Sequence, residues 1–261
     1  MFLTGLVSIS FRQHTVEEII AAVRSCGLQA IEWGSDVHVL PGDRRRALEV
    51  REKMQESGLQ TAAYGSYYSL GESENPEQDF LPYLHTAQWL NAPVIRIWGG
   101  KKGSSALSAA ELERLAAEAQ LLTRMAGDCG VLLSLECHPN TLTDDANASL
   151  QFLQAVGNPY LTIYWQPNQN RTPEYNLRAA SLLAPVTTNL HVFSWEMQNG
   201  QLLRFPLAYH TERWQSYLQI FRSDKKSHAL LLEFMHDDRL ETLPETAAAL
   251  LDWATAANGQ S

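Results

Sequence analysis

Short apolar runs alternate with longer amphipathic stretches along the whole chain, and the cycle repeats eight times. The runs predict strands over 6–11, 30–33, 60–65, 94–98, 131–136, 161–166, 188–193 and 229–233. They are short and bounded by turn-forming residues, while the stretches between them carry helical periodicity. Thr15 with Glu18 reads as a capping box, and Cys26-Gly27 closes that first helix. A second helix is expected over 43–57, ahead of Gly58, and a third from near Pro76. A fourth is expected over 108–129, opened by Ser108 with Glu111 and closed by Gly130, and the last over 242–257. The sixth unit is the weakest, its short helix opening between Arg171 and Glu174. After the seventh strand, 195–210 reads as an inserted loop or hairpin turning at Asn199-Gly200.

Strand and helix repeated without a linker or a change of composition imply parallel strands joined by right-handed crossovers. Eight such units in 261 residues match an α/β fold of one domain, a single (β/α)8 TIM barrel over 1–261. An open doubly wound sheet would favour a glycine-rich turn after the first strand, and the segment from Ser10 to His14 has no glycine.

Composition narrows the function classes. A hydrophobic share of 45% suffices for a full core, and a net charge of −9 with a pI of about 5.4 argues against a nucleic-acid partner. The basic cluster Arg44, Arg45 and Arg46 reads as a solvated helix face. Three cysteines, Cys26, Cys129 and Cys137, show no metal-type spacing and suit a reducing cytosol. The first residues lack the pattern of a signal peptide, and the apolar runs fall far below the roughly 18 residues of a membrane span. A cytoplasmic protein with no membrane partner is expected, its oligomeric state left open, with a homo-oligomer allowed.

The run from Val131 to Asn140 carries the strongest chemical signal: a buried strand that ends in Glu136, Cys137 and His138. Alternation along a strand turns Glu136 and His138 to one face, and a carboxylate closing an apolar strand is costly unless paired or bound to metal. Polar groups recur at this same place in the other units. Arg12 follows the first strand, Glu32 lies on the second, Tyr64 on the third, Arg96 on the fourth, Gln166 on the sixth, His191 on the seventh and Glu233 on the eighth. In a barrel these ends converge on one face, where catalytic groups gather. Glu136, His191 and Glu233, with the Gln166 amide oxygen as a fourth donor, form an O/N set suited to one divalent ion, Mn²⁺, Mg²⁺, Co²⁺ or Zn²⁺. Arg96 is a candidate clamp for a developing oxyanion, and Trp98 and Trp165 are candidate apolar walls. The segment from Gly99 to Ser104 lacks phosphate-loop spacing and reads as a flexible loop whose Lys101 or Lys102 touches an anionic ligand.

The stretch from Glu136 to Asp144 resembles the xylose isomerase-like barrel superfamily of sugar-phosphate isomerases and epimerases. Within it, the segments from Ile9 to Arg12, Arg96 with Gly100 to Ser104, and Glu136 to Asp144 resemble bacterial metal-dependent 3-dehydroshikimate dehydratases. The resemblance implies metal ligands at Glu136, His191 and Glu233, an active-site arginine at Arg96 and a substrate-side histidine at His138. Three positions depart from it. The sixth-strand Asp ligand and the His three residues later are Gln166 and Gln169, and a dehydratase Lys is Phe193.

The reading that follows is a metal-dependent isomerase or epimerase of a small carbohydrate or related polyhydroxy compound, working through an enediolate. Glu136 and Glu233 are its acid/base pair, assisted by His138. Arg96, Trp98, Tyr64, Glu32, Arg12 and Trp165 are the substrate-facing candidates. A 3-dehydroshikimate dehydratase-like lyase is the nearest alternative, and a metal-free sugar-binding barrel is the alternative from another class.

Overall fold

The computed structural model describes residues 1–259. The strand β1 (Phe2–Val7) lies between β2 (Ala30–Gly34) and β10 (His228–Leu232). The ring is completed by β3 (Gln60–Ser69), β4 (Val94–Trp98), β5 (Leu132–Glu136), β6 (Leu161–Trp165) and β7 (Thr187–Val192). All eight are parallel and close in the order β1-β10-β7-β6-β5-β4-β3-β2. Among the described residues eight α-helices surround them: α1 (Val16–Ser25), α2 (Arg44–Glu56), α3 (Pro76–Leu90), α4 (Ala109–Asp128), α5 (Ala146–Val156), α6 (Pro173–Leu183), α7 (Thr211–Ser223) and α8 (Leu243–Gly259). The capping boxes at Thr15 and Ser108 both form, each hydroxyl accepting from the N–H of the glutamate three residues on. The remaining strands, β8 (Trp195–Gln198) and β9 (Gln201–Arg204), form an antiparallel hairpin after β7. It turns at Asn199 and Gly200 with φ of 51° and 78°, the left-handed pair that a two-residue hairpin turn requires.

Most strand boundaries fall within a residue of the expected ones. Two differ: β3 runs four residues beyond the expected 60–65, to Ser69, and β1 ends at Val7, so that 8–11, expected as strand, form a 3-10 turn. Two serines account for the change after β1. Ser8 Oγ accepts from the Gly34 N–H at 2.9 Å and Ser10 Oγ from the Phe234 N–H at 2.8 Å, so side chains replace the ladder and the chain curls over the barrel mouth.

The core has two parts. Inside the barrel sit small and medium residues, among them Val7, Ala30, Ala62, Val94, Ala229 and Leu231, together with the buried ring of Tyr164. Between barrel and helices lies a larger layer that includes Ile31, Trp33, Ile95, Leu133, Ile163 and Leu230. Tyr64 and Trp165 belong to this outer layer, which corrects their assignment to a substrate site. The Tyr64 hydroxyl donates to the Val39 carbonyl at 2.8 Å. Trp165 packs on Trp214, Tyr217 and Phe221 at ring distances of 6.2, 5.0 and 5.0 Å. Both are one residue out of phase with the inward-facing positions Gly65 and Gln166. Replacing Tyr64 by Phe is therefore expected to cost about 1 kcal/mol of stability in urea denaturation, with divalent-metal affinity unchanged. A lost metal affinity in that variant would put Tyr64 back at the site.

Candidate active site

Four buried side chains converge at the C-terminal ends of β5, β6, β7 and β10. Glu136 closes β5 and His191 lies near the end of β7, while Gln166 and Glu233 directly follow the last residues of β6 and β10. Donor atoms of Glu136, His191 and Glu233 all lie within 4.8 Å of one another. His191 Nδ1 stands 3.2 Å from Gln166 Oε1, 3.4 Å from Glu233 Oε2 and 3.7 Å from Glu136 Oε1. Ligands about 2.1 Å from a shared ion stand about 3.0–3.4 Å apart in tetrahedral or octahedral geometry. The spacing thus fits a divalent ion with little rearrangement. Gln166 is already turned for the role. Its Nε2 donates to the Cys137 carbonyl at 2.8 Å and to Glu136 Oε1 at 3.2 Å, which points Oε1 into the cluster.

Beneath these four lies a buried ionic network. Arg96 Nε donates to Glu32 Oε1 at 2.8 Å and Nη1 to Glu136 Oε2 at 2.5 Å. Trp98 Nε1 donates to the same Glu136 oxygen at 2.8 Å. Glu32 Oε2 accepts from the Tyr164 hydroxyl and lies 3.3 Å from His191 Nε2. In the neutral ring a carboxylate at Nε2 would hold the proton there and leave the Nδ1 lone pair facing the cluster, the tautomer a metal ligand needs. Two assignments change accordingly. Glu32 is fully buried below these four side chains and acts on His191 and Arg96, out of a substrate's reach. Arg96, only 2% exposed, holds two carboxylates and is committed to them.

Charge explains the protonation pattern. Burial opposes ionisation of Glu32, but Arg96 and His191 more than offset it and hold the carboxyl at about 2. Burial likewise opposes ionisation of Glu136, and Arg96 with His191 keeps it well below the usual carboxylate range. Glu233 lacks such a clamp: burial, reinforced by the charge of Glu136, pushes it up to about 7 despite His191. Burial would lower His191, yet Glu233 and Glu32 raise it to about 10. Three carboxylates against one guanidinium leave two negative charges, which a divalent ion would cancel. With no ion, protons on His191 and Glu233 do so instead.

Around the mouth the side chains form a continuous series of contacts. His138 stacks on Trp98 at 5.0 Å and 17°, with its Nδ1 2.8 Å from the Pro139 carbonyl, so Nδ1–H donates and Nε2 keeps a free lone pair. Trp98 meets Tyr67 edge-on at 6.2 Å, and the Tyr67 hydroxyl is 2.5 Å from Arg12 Nη2. Arg12 also binds Asp36 and the Ile9 carbonyl, and its guanidinium lies 5.8 Å from the Phe234 ring. Phe234, directly after Glu233, adopts φ of 45° and is fixed by Ser10 and by Trp195 Nε1, which donates to its carbonyl at 3.0 Å. Lys101 and Lys102 are exposed and paired with Glu72 and Glu111, each at 2.5 Å, which corrects the expectation that they touch a ligand. Sequence reasoning missed Tyr164, Gly65, Phe234 and Arg204. Only Tyr164 carried a signal, since alternation puts it on the same face as Gln166.

This barrel and its strand-end site define a class, and the chain belongs to it: the xylose isomerase-like TIM barrel family, whose profile matches residues 20–181. A 3-dehydroshikimate dehydratase from Bacillus anthracis is 27% identical over 169 residues, 61% of this chain and 59% of that relative's length. Among solved structures, a probable 3-DHS dehydratase from Bacillus anthracis superposes with a TM-score of 0.80 at 19% identity, covering 96% of this chain and 99% of that one. A magnesium-bound xylose isomerase-like barrel from Mycobacterium smegmatis gives 0.77 at 14%, with 97% of each chain covered. A D-allulose 3-epimerase from Methylomonas sp. gives 0.69 at 14%, with 98% of each covered. At these identities the structural likeness speaks for the fold alone.

Gly65 shows how tightly the ionic network is built. A Cβ at this position would stand 2.4 Å from Glu32 Oε1 and 2.8 Å from Arg96 Nη2. Gly65→Ala is expected to pry this pair apart and cost about 1–3 kcal/mol in urea denaturation. An unchanged unfolding midpoint would contradict the packing described.

Proposed function

We propose that this chain, as one barrel domain over 1–261, is a divalent-metal-dependent isomerase or epimerase of a small polyhydroxy substrate. The observation that carries the reading is the unequal freedom of two buried carboxylates on either side of His191. Both oxygens of Glu136 are engaged, by Arg96 and Trp98 on one and Gln166 on the other. Glu233 meets only His191, at 3.4 Å, among the described residues. An ion of Mn²⁺, Mg²⁺, Co²⁺ or Zn²⁺ held by Glu136, Gln166, His191 and Glu233 would supply a Lewis acid for two adjacent substrate oxygens, acidifying the neighbouring C–H.

The chain's own groups would then move the proton. Glu233, the carboxylate whose affinity for a proton is raised, removes it from the substrate carbon and can return it. Glu136, fixed by Arg96, serves the opposite face or the neighbouring oxygen, and unequal carboxylates of this kind are how acid and base roles separate. His138 Nε2 offers a second acceptor at the rim, and Trp98, which positions its ring, offers an apolar wall. Deuterium incorporation from D₂O into a panel of ketopentoses, ketohexoses, their phosphates and keto sugar acids, followed by NMR on Mn²⁺-loaded protein, tests the reading. Glu233→Gln and Glu136→Gln should each lower the exchange rate by about 10²–10⁴-fold. Folded variants that keep full turnover on a validated substrate would overturn it.

A second reading, a lyase acting on 3-dehydroshikimate, draws on the 27% identical relative. Against it stands Phe193, where the resemblance implies a lysine; its ring stacks on Trp195 at 3.9 Å. Incubation with 3-dehydroshikimate and Mn²⁺ is expected to give no aromatic absorbance, and its appearance would favour the lyase.

The metal site has its own readout. Binding requires neutral His191 and ionised Glu233, raised to about 10 and about 7 in the metal-free chain. Titration of Mn²⁺ in buffers of different ionisation heat should therefore show about one proton released per ion at pH 8, rising toward two at pH 6, with affinity falling as pH falls. Failure of Mn²⁺ to bind would leave the metal-free sugar-binding barrel as the surviving reading.

A further inference from the structure

The β8–β9 hairpin delivers one cation to the mouth whose hydrogen-bonding capacity is only partly used. Arg204, the last residue of β9, lies with its guanidinium 5.0 Å from the Phe234 ring and 5.6 Å from the Trp195 ring. Its hydrogen bonds, to Asp238 at 2.6 Å and to the Met235 carbonyl at 3.3 Å, both leave from Nη1. Nε and Nη2 have no hydrogen-bond partner among the described residues, and about a third of the side chain is exposed. Arg12, which also lies over the Phe234 ring, differs: its three nitrogens are all engaged. The Phe234 ring lies within 6 Å of both guanidiniums, and Phe234 is the residue next to Glu233. A substrate that extends from Glu233 past the Phe234 ring would meet Arg204.

Several features fix this arginine in place. The Arg204–Trp195 register is set by the hairpin ladder, Trp195 stacks on Phe193, and Trp195 also bonds the Phe234 backbone. Phe234 pays for its place with a left-handed backbone that is costly for a bulky side chain. A planar guanidinium held over two rings with Nε and one Nη open on the same edge is the geometry that takes a carboxylate or phosphate through two parallel hydrogen bonds.

Resting on the isomerase or epimerase reading, we propose that Arg204 binds an anionic group of the substrate, making that substrate a short sugar acid or sugar phosphate rather than a neutral sugar. Arg204 is on this account a specificity-determining residue, brought to the site by a hairpin that is no part of the barrel.

Calorimetric titration of the Mn²⁺-loaded full chain with D-ribonate, D-ribose 5-phosphate and ribitol tests this. At least one anion should bind about tenfold tighter than ribitol or more, and which one does so separates carboxylate from phosphate. Arg204→Gln should bring that anion down to the affinity of ribitol, Arg204→Lys should fall between, and ribitol binding should stay unchanged in both. The variants' far-UV circular dichroism should match the parent. Ribitol binding as tightly as both anions would overturn the proposal. So would an Arg204→Gln or Arg204→Lys variant that weakens anion and ribitol alike, the signature of a purely structural arginine. If Mn²⁺ binds but none of the three compounds does, the substrate proposal fails and the metal site stands. If Mn²⁺ itself does not bind, both fail.

Discussion

The structure of this site depends on one buried guanidinium. Arg96 enters the barrel from β4 and holds Glu32 on one side and Glu136 on the other, with all three side chains almost wholly out of water. Charges in such a place are tolerable only when each is met by partners of good geometry, and removing one member strands the others. Gly65 is glycine because the pair occupies the space its side chain would need. Glu32, held by Arg96 and Tyr164, fixes the His191 ring, and Glu136, held by Arg96 and Trp98, is kept ionised and oriented. The four side chains proposed as ligands are therefore held in place by the protein alone, and the two charges left over would match a divalent cation.

Much of this arrangement was legible in the chain. The eightfold alternation gave the barrel, because a parallel strand buried on both faces writes itself as a short apolar run. The run ending at Glu136 stood out because a carboxylate there has no cheap explanation. The phase of the remaining strands was harder to read. Trp165 and Gln166 are adjacent in sequence, so only one can face the axis, and alternation excludes treating both as site residues. Tyr64 offered no such check, since its inward neighbour Gly65 carries no side chain to announce its direction. The roles of Glu32 and Arg96 were invisible for another reason. Both lie at strand ends as a substrate-facing residue would, and only the closed geometry shows that they face each other at 2.8 Å.

The hairpin lies beyond what periodicity can reach. Its turn was readable at Asn199-Gly200, but its strands pair only with each other, and nothing in the pattern says that Arg204 comes to rest over Phe234. The solved barrels of this shape include a dehydratase and an epimerase at 19% and 14% identity, so the shared scaffold does not select the chemistry. Selection belongs to groups at the mouth. At its mouth this chain carries an amide at Gln166, an aromatic at Phe193 and, on the hairpin, the cation of Arg204.

The central claim is that the Arg96 network presents Glu136, Gln166, His191 and Glu233 as one ligand set. Anomalous diffraction from crystals grown with Mn²⁺ tests it most directly. The account predicts a single strong peak bonded to Glu136, Gln166 Oε1, His191 Nδ1 and Glu233, with His191 Nε2 still on Glu32. No peak among these residues, or an ion that leaves Gln166 and His191 unbound, would contradict it.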